Sequence, residues 1–94
     1  KEYAVQKDDY TILCQTDKNK LVLTLPPACD NPGRILNIKK ANVDKYKLTS
    51  APIVVKSIEG CIDINDEIII KMNYSSRTLQ SDGENWWIIG TKGS

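Results

Sequence analysis

The sequence predicts an all-β protein, a small antiparallel β-sandwich or β-roll that associates with copies of itself. Short β-branched runs recur about every eight to twelve residues, bounded by Gly, Pro, Asn or Asp, which is the rhythm of a sandwich, roll or small barrel. No stretch keeps helical apolar spacing over a useful length. Asp82-Gly83 stands between two β-prone runs, a strong hairpin signal, because both central residues of a type I′ turn need φ > 0.

Residues 1–9 are polar and charged apart from Tyr3, Ala4 and Val5, and read as a lead-in from a longer chain, in keeping with a start at Lys1 rather than Met. The β domain is expected over 10–90, with a tail at 91–94. Strands are predicted at 10–15, 20–25, 33–39, 45–49, 53–57, 61–64, 67–72, 75–81 and 85–90. Asp17-Lys18-Asn19 reads as a hairpin joining the first two. Pro26-Pro27 has no N–H for a ladder and ends the second strand. Asn31-Pro32-Gly33 and Asn42-Val43-Asp44 are turns, Ser50-Ala51-Pro52 opens the next strand and Glu59-Gly60 closes it.

In the second strand Leu21, Leu23 and Leu25 alternate with Lys20, Val22 and Thr24, as in a half-solvated strand. Ile53-Val54-Val55, Ile68-Ile69-Ile70 and Trp86-Trp87-Ile88-Ile89 are instead apolar on successive positions, hence on both faces. A 94-residue chain builds one core and buries only about 60–65% of its unfolded surface. The second face is therefore expected against another copy, with Val54, Ile69, Trp86 and Trp87 as interface candidates. A regular strand points Trp86 and Trp87 to opposite faces, so at most one lies in the monomer core. The other fills a subunit interface, the preferred reading, or stacks on a sugar ring. Tyr10, Tyr46 and Tyr74 are expected at rims.

Thirteen Lys and Arg against twelve Asp and Glu give no basic field for nucleic acid. No run approaches the length of a membrane span. Histidine is absent, which removes Ser-His and Cys-His nucleophile pairs. Asp8-Asp9 and the Asp63, Asp66 and Glu67 cluster read as lead-in and turn rather than as catalytic carboxylates. The latter lacks the glycine and distal glutamate of a calcium loop. The isolated glycines form no phosphate loop, so no cofactor is expected. Asn73-Tyr74-Ser75 matches the N-glycosylation pattern, relevant only to a secreted chain. Cys14, Cys29 and Cys61 lack metal-site spacing. They read as small buried apolar residues in a reducing compartment, with one disulfide and one free thiol as the alternative.

The succession Tyr10-Thr11-Ile12-Leu13-Cys14, Leu21-Val22-Leu23-Thr24-Leu25-Pro26-Pro27-Ala28, Asn31-Pro32-Gly33-Arg34-Ile35-Leu36-Asn37-Ile38-Lys39-Lys40, Ser57-Ile58-Glu59-Gly60 and Thr78-Leu79-Gln80-Ser81-Asp82-Gly83-Glu84-Asn85-Trp86-Trp87-Ile88-Ile89 resembles a small β module of bacteriophage tail fibres and spikes and of large DNA virus virion proteins. The resemblance implies a homotrimeric fibre head or tip on the virion surface, structural rather than enzymatic, that registers its chains and contacts a host glycan or receptor. The alternative is a carbohydrate-binding attachment domain with an exposed aromatic platform. The sequence departs from the module at Cys61-Ile62-Asp63-Ile64-Asn65-Asp66, which is longer and more apolar than usual, and at Trp87, where tyrosine is more usual.

Overall fold

A computed structural model describes residues 1–42 and 50–93. The apolar runs form eight strands: β1 (Glu2–Ala4), β2 (Thr11–Cys14), β3 (Leu21–Leu25), β4 (Ile35–Lys40), β5 (Ile53–Ser57), β6 (Glu67–Ile70), β7 (Ser76–Ser81) and β8 (Trp86–Lys92). A 3-10 turn at Ala28–Asp30 follows Pro26-Pro27. Two four-stranded sheets, ordered β1-β3-β5-β6 and β2-β4-β7-β8, enclose one core. Leu23, Leu25, Ile53, Val55 and Ile70 of the first meet Leu36, Ile38, Leu79 and Trp86 of the second, all fully buried.

The all-β expectation holds, but the sheets are mixed rather than antiparallel. β1–β3, β3–β5 and β2–β4 are parallel, whereas β5–β6, β4–β7 and β7–β8 are antiparallel. From β1 to β5 the chain alternates between sheets, so each return to a sheet follows a full circuit and runs in the same direction. The N-terminal half is thus coiled, and only the C-terminal half folds back in hairpins. Asp17-Lys18-Asn19 is accordingly a corner between sheets rather than a hairpin, since β2 pairs β4 while β3 pairs β1 and β5.

Polar side chains fasten one circuit to the next at their corners. Asn42 accepts the Thr16 N–H at Oδ1 (2.9 Å) and donates from Nδ2 to the Thr16 carbonyl (3.0 Å), so one amide replaces a rung of ladder. Thr16 Oγ1 in turn donates to the Ala51 carbonyl. At the other end Arg34 donates from Nη2 to the carbonyls of Gln6 (2.6 Å) and Asp9 (2.8 Å) and from Nη1 to Asn31 Oδ1 (3.0 Å). The guanidinium fork supplies several donors in one plane, which a lysine cannot.

Other expectations are revised. The residues read as a lead-in contribute β1, which pairs with β3, and Val5, which enters the core. Three residues are too few to show a period. β8 continues past Gly90 to Lys92. The strand expected at 61–64 is a tight turn, with Asp63 and Ile64 at φ 48° and 68° and only isolated bridges at Ile62. The Asp63 carboxylate accepts the Ile88 N–H (2.9 Å), which favours the turn over an extended run. The strand expected at 45–49 and the rim position of Tyr46 lie outside the described residues.

Candidate functional site

The hairpin β7–β8 is present, but its turn differs from a type I′ turn at Asp82-Gly83. Among the described non-glycine residues, positive φ occurs only at Asp63, Ile64 and Tyr74, so Asp82 does not take it, while Gly83 has φ 94°. The central pair is Gly83-Glu84, flanked by Asp82 and Asn85, whose Asp82 N–H and Asn85 carbonyl bond at 3.1 Å. The Asp82 carboxylate closes the turn, because Oδ1 accepts the N–H groups of both Glu84 and Asn85 at 2.8 Å. A short carboxylate can satisfy its own turn in this way, which releases the residue from the left-handed region.

Behind this turn the separated sequence pieces converge. Trp86 is 0% exposed and donates its indole N–H to the Pro26 carbonyl (3.1 Å). Ser81 Oγ donates to the Ala28 carbonyl (2.8 Å) and accepts the Gly83 N–H (3.1 Å). Asn85 Oδ1 accepts the Cys61 N–H (2.8 Å), and Gly60 lies so close to the Glu84 carbonyl that a Cβ would collide with it. Leu23-Thr24-Leu25-Pro26-Pro27, Ser57-Ile58-Glu59-Gly60 and Ser81-Asp82-Gly83-Glu84-Asn85-Trp86 therefore build one knot around a buried indole. These residues hold structure: Ser81, Asn85 and the Trp86 indole each spend a polar atom on a neighbouring piece.

The adjacent Trp87 faces outward at 40% exposure, as period-two alternation requires. Its indole N–H donates to Asp82 Oδ2 (2.8 Å), which fixes the ring on the sheet. The Asn85 N–H, the Trp87 indole and the Glu84 N–H together hold the Asp82 carboxyl below the usual carboxylate range. Trp87, Ile89, Gln80, Ser81, Asp82 and Gly33 line an open hollow of about 440 Å³. Gln80 pairs across the ladder with both Ile35 and Trp87, and its Nε2 donates to the Gly33 carbonyl (3.2 Å).

The remaining interface candidates lie on the other sheet. Val54, 5% exposed, sits on the face away from the core, between Val22 of β3 and Ile69 of β6. Ile69 is 46% exposed and ends this apolar row at the sheet edge. The fold thus separates Val54 and Ile69 from Trp87, and it commits Trp86 to the core.

Sequence reasoning missed two features. Tyr3 and Asp9 flank a second hollow, of about 330 Å³, that reaches Cys14 and Leu23. The Tyr3 hydroxyl donates to Asp9 Oδ2 (2.5 Å), which raises the phenol and lowers the carboxyl. Lys40 is fully buried, with Nζ donating to the carbonyls of Lys71 (2.6 Å) and Ser50 (3.4 Å), and burial lowers its pKa. An Ile-Lys-Lys strand end gives no hint that its last ammonium turns inward. The cysteines are all free and differ in setting: Cys14 is buried, Cys61 half-buried and Cys29 exposed. Only Cys14 behaves as the small buried apolar residue expected of all three.

Among the described residues, no group of three or more Cys, Asp or Glu is placed to hold a metal ion. Among the same residues, no helix is long and apolar enough to cross a membrane. No known family model matches the chain, and no curated protein matches it.

Proposed function

We propose that this chain is a structural module of a virion fibre or spike, which associates as a homotrimer at the particle surface and serves assembly rather than catalysis. The observation that carries the reading is the knot around Trp86: three of the pieces that resemble the viral fibre module, at 23–27, 57–60 and 81–86, meet there in space and hold the fold. Large apolar side chains left outside the core support association. On the face carrying Val22, Val54 and Ile69, Val54 is already buried, while Ile69 at the sheet edge is open to solvent. Burying Ile69 three times about one axis gives a closed assembly without a free apolar edge.

The test is light scattering coupled to size exclusion on the purified chain at micromolar concentration. A trimer mass is expected, falling to the monomer mass in Ile69→Glu with the β circular-dichroism signature retained. A monodisperse monomer for the unaltered chain overturns the proposal.

A further inference from the structure

We infer that the hollow beside Trp87 binds a neutral pyranose, with the indole as its floor and Gln80 and Asp82 as its hydroxyl partners. Three features of the hollow converge on this ligand. First, Trp87 spends its single N–H on Asp82, so the ring has no donor left and is held beside the hollow it lines. An indole π face is electron-rich and attracts the weakly positive C–H edges of a sugar ring laid flat upon it. Second, the polar groups at the rim retain unused capacity of both signs. Gln80 has spent one N–H on Gly33, which leaves its second N–H and its Oε1. Asp82 Oδ2 takes the indole and keeps a further lone pair. Hydroxyl groups both donate and accept, and vicinal hydroxyls match an amide beside a carboxylate. Third, the rim is charged. Asp82 is a carboxylate whose hydrogen bonds favour the charged form, so the hollow disfavours uronic and sialic acids.

The arrangement is also stiff. Trp87 and Gln80 sit side by side on paired strands, and Gly33 is tied to the same strand end through its N–H bond to the Ser81 carbonyl (2.8 Å). Sugar binding at a shallow site depends on such prior ordering, because little area is buried to offset it. Ile89, 53% exposed, extends the apolar floor toward a second ring. The face is opposite the Val54–Ile69 row, so binding here is independent of the proposed association.

The experiment is an amide-and-indole NMR titration of the whole chain with lactose, triacetylchitotriose, maltotriose and glucuronic acid, each to about ten millimolar, the range of weak single-site affinities. At least one neutral probe is expected to give saturable shifts centred on the Trp87 indole N–H and the Gln80 side-chain amide. The buried Trp86 indole serves as the unshifted reference. Trp87→Ala should abolish the shifts and Gln80→Ala should weaken binding about tenfold, both with unchanged light-scattering mass. Absence of saturable shifts with every neutral probe, persistence in Trp87→Ala, or equal binding of glucuronic acid overturns the inference.

Discussion

Replacing Gly60 and Gly83 separately by alanine distinguishes two physical costs that the sequence alone does not separate. Both glycines have φ near 90°, at 87° and 94°, and both lie on the Trp86 knot. At Gly83 an added Cβ meets nothing nearer than Pro32 Cβ at 3.7 Å, an ordinary contact. Only the left-handed backbone is then penalised, at roughly 1–2 kcal/mol. At Gly60 the Cβ would run into the Glu84 carbonyl oxygen and stand 3.3 Å from Asn85 Cα, both backbone atoms that cannot swing away. Overpacking adds roughly 1–3 kcal/mol, for a total of about 2–5 kcal/mol. The displaced Glu84-Asn85 segment also carries the Asn85 bond to Cys61, so the Trp86 near-ultraviolet signal should change in this variant alone. Urea denaturation at fixed protomer concentration measures both values, because association would otherwise enter the midpoint. Equal losses, within about 0.5 kcal/mol, would refute the reasoning.

Three further outcomes follow from the same contacts. Asn42→Ala removes both bonds to Thr16 and should cost about 2–3 kcal/mol by denaturant titration, whereas a loss below about 0.5 kcal/mol would show that the corner is held otherwise. Asp82 has a folded pKa below its unfolded value, so its contribution is complete above the unfolded carboxylate range and is lost as pH falls through the folded value. Asp82→Asn should therefore flatten the acid limb of a stability–pH curve, and an unaltered limb counts against the turn geometry. Thiol labelling should proceed at the exposed Cys29 and the half-buried Cys61 in the folded chain, and at Cys14 only on unfolding, since burial pushes the Cys14 thiol up to about 11. Prompt labelling of Cys14 in the folded chain contradicts its place in the core.

Much of the fold was legible because short-range chemistry writes it. Leu21-Val22-Leu23-Thr24-Leu25 alternates and stops at Pro26-Pro27, and β3 occupies those residues. Trp86 and Trp87 parted to opposite faces as the pleat demands. Strand pairing was not legible, because turn residues at Asp17-Lys18-Asn19 look alike whether they close a hairpin or carry the chain to the other sheet. The deciding contacts, Asn42 to Thr16 and Arg34 to Gln6 and Asp9, span 26, 28 and 25 residues and leave no local trace. Likewise, two-sided apolar runs signalled burial correctly at Ile53-Val54-Val55 but did not say which face met the core. The hollow at Trp87 was half legible: its aromatic floor was evident, while Gln80 and Gly33 joined it only through register.

The coiled half of the molecule sets an order of events in time. The β5–β6 and β7–β8 pairs close short loops and need no other part of the chain. The β1–β3 and β2–β4 pairs, by contrast, wait for complete circuits between sheets, and such distant closures come late in folding. The first strand docks onto the β3 edge, in a sheet whose other edge is β6. As a three-residue edge strand held on one side alone, it is among the first pieces lost when the native state opens locally.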